Sequence, residues 1–260
     1  MLSNGRLILV PLSLACLLAT IGAGKAERIA PKPQAWRPDI AAATRYAHRR
    51  EGEVAFAVID ERGRLSGLHV ASTAPAASVF KVMLLVAFLR MRDRHPLTAG
   101  DRALLGPMIR RSDSVAATEV RDIVGLARIE RVARVSGMRD FSYRSVWGES
   151  LTSPRDQARF MFRLESFIPV VQRPYALYLL SHIVGSQRWG IGRLAPPGWR
   201  LYFKGGWGSG SGRVDHQVAL LKRGRRRVSL AIFTQFDPSH AYGKRTLRGL
   251  ASRLLRGLGR

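Results

Sequence analysis

Apolar and polar positions alternate between two rhythms along the chain. Across Asp39 to Arg50 the apolar residues Ile40, Ala43, Tyr46 and Ala47 recur at helical spacing, and basic residues come late in the segment. Glu53 to Asp60 (EVAFAVID) is β-branched and apolar, which predicts a strand. Glu61-Arg62-Gly63-Arg64 marks a turn, and Leu65 to Ser72 has the pattern of the returning strand. Ser78 to Arg94 has the apolar density of a buried helix. From about Leu97 to Arg193 the rhythm is mostly helical, broken at Ser136-Gly137 and at Thr152-Ser153-Pro154. Leu201 to Lys204, Val214 to Lys222 and Arg227 to Thr234 return to strand character, and Tyr242 to Leu258 is a basic amphipathic helix.

Strands at both ends of a helical middle most simply join in one antiparallel sheet. The pattern therefore predicts an α/β (α+β) fold, with a five-stranded antiparallel sheet flanked by terminal helices and an all-helical lobe inserted. The boundaries expected are one domain over 39–260, its sheet lobe made of 39–76 and 200–260 and its helical lobe of 77–199. No internal repeat interrupts this order.

The first 26 residues have another character. Arg6 is a positive n-region, Leu7 to Ala23 an apolar core broken by Pro11, and Ala23-Gly24-Lys25-Ala26 ends in small residues. This is the pattern of a secretory signal, with an uncleaved anchor as the alternative. A Pro-containing leader, 27–38, follows. The one cysteine, Cys16, lies inside the signal, where Ser13-Leu14-Ala15-Cys16 is a poor lipid-attachment motif. Cleavage after Ala26 leaves no thiol for disulfides, catalysis or metal binding. The expected location is outside the cytoplasm, in the cell envelope or secreted, and the expected state is a monomer.

Composition changes the picture in one respect. With 46% hydrophobic and 23% charged residues the chain of 260 can bury an ordinary core, but 43 basic against 18 acidic residues leave a net charge of +25. Nucleic acid is the reflex partner for such a charge. Yet the basic residues are spread out, and the dense run Lys222 to Arg227 lies between two strands, as a hairpin tip would. For an exported chain, anionic wall polymers or a membrane surface are the better-suited partners, and no nucleic acid is expected. Of the basic residues 37 are Arg and only 6 are Lys. Each Lys is thereby informative, because Arg keeps its proton and Lys can lose it.

Ser78-Val79-Phe80-Lys81 places a hydroxyl and an amine at i and i+3 where a helix opens. A buried Lys beside another cation gives up its proton readily, and the free amine can activate the serine. Alone the pair is weak, since an N-cap Ser78 with an incidental Lys81 explains it too. Ser112-Asp113-Ser114 opens another helical segment 34 residues later, and Lys204-Gly205-Gly206, followed by Trp207, ends a strand 92 residues after Ser112. In these elements and their order the chain resembles the serine β-lactamase and penicillin-binding protein superfamily, with its Ser-x-x-Lys, Ser-Asp-Asn and Lys-Thr-Gly motifs. The likeness is to the class A β-lactamase branch and covers most of the chain beyond the signal.

The resemblance implies roles. Ser78 is the nucleophile toward a strained lactam or a D-Ala-D-Ala amide, and Lys81 the acylation base, directly or through water. Ser112 relays a proton to the leaving nitrogen. Lys204 holds the substrate carboxylate, with Gly206 and Trp207 along the substrate. The backbone N–H groups of Ser78 and Trp207 form the oxyanion hole. Ser209 or Ser211 adds a hydroxyl to the carboxylate pocket. No cofactor is implied, and the six His show no paired metal-ligand spacing.

The chain departs from the family in three places. Ser114 stands where Asn is usual, so that a hydroxyl replaces the amide toward the substrate's acyl side chain, and Gly205 stands where Thr is usual, removing a substrate hydrogen bond. The segment Trp147-Gly148-Glu149-Ser150-Leu151-Thr152 runs almost at once into Ser153-Pro154, a shortened version of the loop whose Glu activates the deacylating water. Glu149 falls one residue late for that duty and is the candidate deacylation base if the shortened loop re-aims it, while Asp156 is a weaker substitute, better suited to a first-turn helix charge. The readings that follow are a class A-like β-lactamase, a D-Ala-D-Ala carboxypeptidase or penicillin-binding protein with slow deacylation, or a non-catalytic envelope-binding protein.

Overall fold

The computed structural model describes residues 1, 2, 36–93, 95–208 and 213–259; the expected signal segment and most of the leader lie outside them, as do Ser209 and Ser211. The elements below belong to a compact unit spanning 35–260.

In chain order they are α1 (Ile40–Ala47), β1 (Glu53–Ile59), β2 (Leu65–Leu68), β3 (Ala74–Pro75), α2 (Lys81–Met91), α3 (Ala99–Arg110), α4 (Ser114–Val124) and α5 (Leu126–Ser136). Then come β4 (Leu151–Thr152), α6 (Pro154–Phe162), α7 (Arg173–Ser181), β5 (Arg200–Trp207), β6 (Val214–Arg223), β7 (Arg226–Gln235) and α8 (His240–Leu254). Five strands form one antiparallel sheet in the order β2-β1-β7-β6-β5, so the two ends of the chain do meet in one sheet. β5 is an edge strand, with one side free of strand partners.

The two faces of the sheet are separable by the alternation of strand side chains. On β7, Ser229 donates to Ala158 of α6, whereas Thr234, of opposite parity, donates to the Asp215 carbonyl and to Asp237 at the approach to α8. On the β5–β6 ladder Lys204 and Gly206 stand beside Val218 and His216, while Gly205 and Trp207 stand beside Gln217 and Asp215. The first set faces the helical middle, and the second faces α8 and the segment before it.

Local sequence explains most boundaries. α2 is buried from Lys81 to Leu89, which is why its apolar residues show no stripe. α3 opens on a Thr98/Asp101 capping box, and α4, α6 and α8 on the side chains of Asp113, Ser153 and Ser239.

Three details differ from the pattern. Ser78 is not a cap: it sits in a 3-10 turn, Ala77–Phe80, that leads into α2, with Ala77 at φ +46°. The return strand stops at Leu68, before His69 at φ +47° turns the chain out of the sheet. The helical middle also contains a short ribbon, because β3 pairs with β4 and Ala76 N–H donates to the Ser150 carbonyl at 2.7 Å. That ribbon ties the residues before Ser78 to the shortened loop.

Candidate active site

Residues from four separate segments converge beside the free edge of β5. Ser112 is the pivot. It lies between the end of α3 and the Asp113 cap of α4, at φ +58°, a conformation non-glycine residues rarely adopt outside constrained sites. That turn directs both its carbonyl and its hydroxyl at Lys81, whose Nζ donates to Ser112 O at 2.6 Å, to Ser112 Oγ at 3.2 Å and to Ser114 Oγ at 3.4 Å. Lys204 Nζ donates to the same Ser112 Oγ at 2.9 Å and to the Gly205 carbonyl at 2.8 Å.

Two ammonium or amine groups thus bracket one hydroxyl. A hydroxyl oxygen has two acceptor sites, so when both lysines donate to it, its own O–H is left to point elsewhere. Both lysines are fully buried. Burial pushes Lys81 down to about 8, with Asp113 partly restoring the charged form. Lys204 lies well below the ordinary lysine range, first because of burial and then because of the Lys81 charge. Two buried cations sharing one oxygen cannot both hold their charge at little cost, which creates a neutral amine near neutral pH.

Ser78 enters from the other side. Its hydroxyl makes no hydrogen bond among the described residues, and Lys81 is turned toward Ser112 rather than toward Ser78. The strained Ala77 immediately before Ser78 belongs to the same constrained turn. Gly206 packs directly against this turn: a Cβ there would stand 2.9 Å from Ser78 N and 3.0 Å from Val79 N, closer than side-chain carbons approach backbone. Only glycine brings β5 this near. Gly208 N–H donates to Val214 O on β6 at 3.0 Å, so the preceding N–H, that of Trp207, points the opposite way, off the free edge. The Ser78 amide thus lies against Gly206, one residue before the outward-facing Trp207 amide.

Trp147 covers Lys81. Its ring centroid is 5.1 Å from Lys81 Nζ, it stacks on Phe80 at 6.1 Å, and its Nε1–H donates to Thr118 Oγ1 at 3.1 Å. The sequence marks Trp147 as the start of the shortened loop and otherwise as a core or rim aromatic. Glu149, two residues on, behaves otherwise: it is exposed, and its carboxylate makes no hydrogen bond or ion pair among the described residues. The loop brings its tryptophan to the site and leaves its carboxylate outside the network. Asp156 is buried and accepts from the backbone N–H groups of Arg139 and Asp140, at 2.8 and 2.7 Å, so it is a structural cap-region carboxylate. Ser114 Oγ reaches Lys81 only at the limit of hydrogen bonding, where the resemblance places an Asn.

On the α8-facing side of β5, Trp189 fills the space beside Gly205, where a Cβ would stand 3.4 Å from its ring. A Cβ there meets the ring at ordinary van der Waals distance, and the further atoms of a Thr would compete with Trp189 for the same space. Trp189, Trp207 and His240 form an aromatic cluster with centroids 5.4 to 6.0 Å apart. Trp189 and His240 were not singled out by motif spacing, because their partners are assembled by the fold; Asp113 stood inside the Ser112-Asp113-Ser114 motif but with no role assigned to it.

Comparison with known proteins agrees with this geometry. The Beta-lactamase enzyme family matches residues 97–258, a span that holds Ser112 and Lys204 and begins after Ser78 and Lys81. No curated protein matches the chain by sequence. Among solved structures it is similar to a β-lactamase from Sphaerobacter thermophilus, at 23% identity and a TM-score of 0.72 over 85% of this chain and 97% of that one. An ancestral class A β-lactamase (GNCA) matches at 18% identity and a TM-score of 0.70, over 83% and 98%. PBP-A matches at 17% and 0.67, over 84% and 97%. These structures share the fold.

Proposed function

The chain belongs to the Beta-lactamase enzyme family, and from that premise we propose that it is a serine acyl-transfer enzyme that opens β-lactam amides through an acyl-enzyme on Ser78. The observation that carries this reading is the Ser112 hydroxyl bracketed by two buried lysines, beside a nucleophile turn against which β5 packs. In the proposed sequence, the neutral amine of Lys81 takes the Ser78 proton, directly or through water, as Ser78 Oγ attacks the carbonyl carbon. The Ser78 and Trp207 amides receive the developing oxyanion. As the C–N bond breaks, Ser112 gives its proton to the leaving nitrogen and recovers one from a flanking lysine. Burial and the Lys81 charge hold Lys204 toward neutrality, and a substrate carboxylate beside it reverses the balance: Lys204 takes the proton and the charge, and Lys81 is left as the neutral amine.

The exposed, unpartnered Glu149 favours a second step slower than the first. An acyl-enzyme hydrolyses quickly only where a base is held near the attacking water, and no carboxylate touches Lys81 or Ser112 among the described residues. The natural substrate consistent with slow lactam turnover is the D-Ala-D-Ala end of a wall peptide. A location outside the cytoplasm, facing wall polymer or membrane surface through its positive charge, is the reading that the first 26 residues and the +25 balance support. A purely binding role is disfavoured by the intact Ser78, Lys81, Ser112 and Lys204 set.

Intact mass with benzylpenicillin tests the proposal. A stable adduct mapped to Ser78 is the expected result. Rapid turnover with no adduct would keep acylation and overturn slow deacylation, and neither adduct nor turnover would reject the β-lactam reading.

A further inference from the structure

Asp215 lies on β6 directly opposite Trp207, and its side chain is fully buried. One carboxylate oxygen, Oδ1, is 2.6 Å from His240 Nδ1, and the other has no partner. Asp237 crowds the same spot: a Cβ on Gly243 would collide with Asp215 Oδ2 and stand 2.7 Å from Asp237 Oδ2. Thr234 donates to Asp237 Oδ2 at 2.5 Å. The charged groups facing the pair are Asp237 from the β7–α8 connection, Lys244 one turn along α8, and Arg50, which acts on Asp237.

His240 is held at Nδ1, so its other nitrogen, Nε2, is the free one, and it makes no hydrogen bond among the described residues. The side chain is 23% exposed and packs against Trp189 and Trp207, the latter within 5.8 Å of Lys204 Nζ. A substrate lying on the free edge of β5 meets both faces of the strand. Position 205 has no hydroxyl to offer on the α8 side, and Trp189 occupies its place.

We propose that His240, oriented by Asp215, receives the substrate's carboxylate on this face, and that the one proton held by the Asp215–His240 pair decides whether it can. The inference rests on the reading of Ser78 as an acylated serine, whose substrates carry such a carboxylate. With the proton present, the pair is either a carboxyl donating to a neutral imidazole or a carboxylate accepting from an imidazolium, and in both forms Nε2 carries a hydrogen. With the proton lost, the imidazole donates its Nδ1–H to the carboxylate and Nε2 presents a lone pair, which repels an anion. Burial and then the neighbouring Asp237 push Asp215 up to about 8, while burial and Lys244 lower His240. The donor form therefore holds below about pH 8 and is lost as pH rises.

The test compares acylation by benzylpenicillin with that by its methyl ester. Their rate ratio cancels the titration of Lys81, which acts on both; Lys204 also faces the acid's carboxylate, and its titration is common to the wild type and the variants, so the comparison is between them. In the wild-type protein the acid-over-ester ratio falls as pH rises through about 8. His240→Gln lowers it about tenfold at pH 6.5, the effect of one hydrogen bond to a charged group, and Asp215→Asn makes the fall with pH smaller than in the wild type. An unchanged ratio in His240→Gln, or a fall of wild-type size in Asp215→Asn, overturns the proposal. If neither compound forms an adduct, the acylation reading fails by itself. The His240 assignment is then decided by ring nitrogen NMR with N-acetyl-D-alanine: a saturable His240 shift supports it, and no shift overturns it.

Discussion

The two sides of the cleft are built to different standards. On one side, Lys81, Lys204 and Ser112 are linked by hydrogen bonds of 2.6 to 3.2 Å, both lysines are held without solvent, and Trp147 covers Lys81. On the other side, the shortened loop presents Glu149 to solvent with nothing to aim it. Burial is what shifts a lysine toward neutrality, and fixed partners are what orient a proton donor. On the proposed reading acylation has both devices and deacylation has neither, and the expected outcome is an acyl-enzyme that accumulates.

The largest effect belongs to the built side. Lys81→Arg keeps the charge and most of the length but cannot supply a neutral amine, so the acylation rate falls by about 10²–10⁴-fold in stopped-flow measurements. Acylation within a few-fold of wild type would remove Lys81 from the mechanism. Gly206→Ala comes next. Its Cβ would press on the Ser78 and Val79 amides, widening the oxyanion gap, with an expected loss of about 10²–10³-fold at unchanged fold by circular dichroism.

A smaller effect sharpens the electrostatic argument. Acylation rises with pH through about 8 as Lys81 loses its proton, because the neutral amine is the active form. Asp113 holds that proton on, so Asp113→Asn, which preserves the helix cap, moves the midpoint of the pH–rate profile downward. An upward or absent shift would contradict the assignment. The smallest effect is on the unbuilt side: Glu149→Gln changes the deacylation rate by less than about threefold. A loss of general-base size, about 10² or more, would erase the contrast between the two sides.

How far the sequence reached follows the range of the interactions concerned. Alternating and helical apolar rhythms are local, so they located all five strands of the sheet and the buried α2. Ser78 and Lys81 are three residues apart and Lys stands out in an arginine-rich chain, which made them visible without a structure. The β3–β4 ribbon was hidden because its two-residue strands carry no period and are paired across more than 70 residues.

Residue pattern alone settled the order of the elements and the residue types available for catalysis, and the resemblance of its motifs pointed to the family. Only the tertiary structure decided that Lys81 turns to Ser112, that Trp147 covers it while Glu149 does not, and that Asp215 meets His240 across 25 residues. The reason is physical. Residue identity sets what a group can donate, accept or ionise, but burial and the orientation of distant partners set its protonation state and its aim. Those depend on how the whole chain packs.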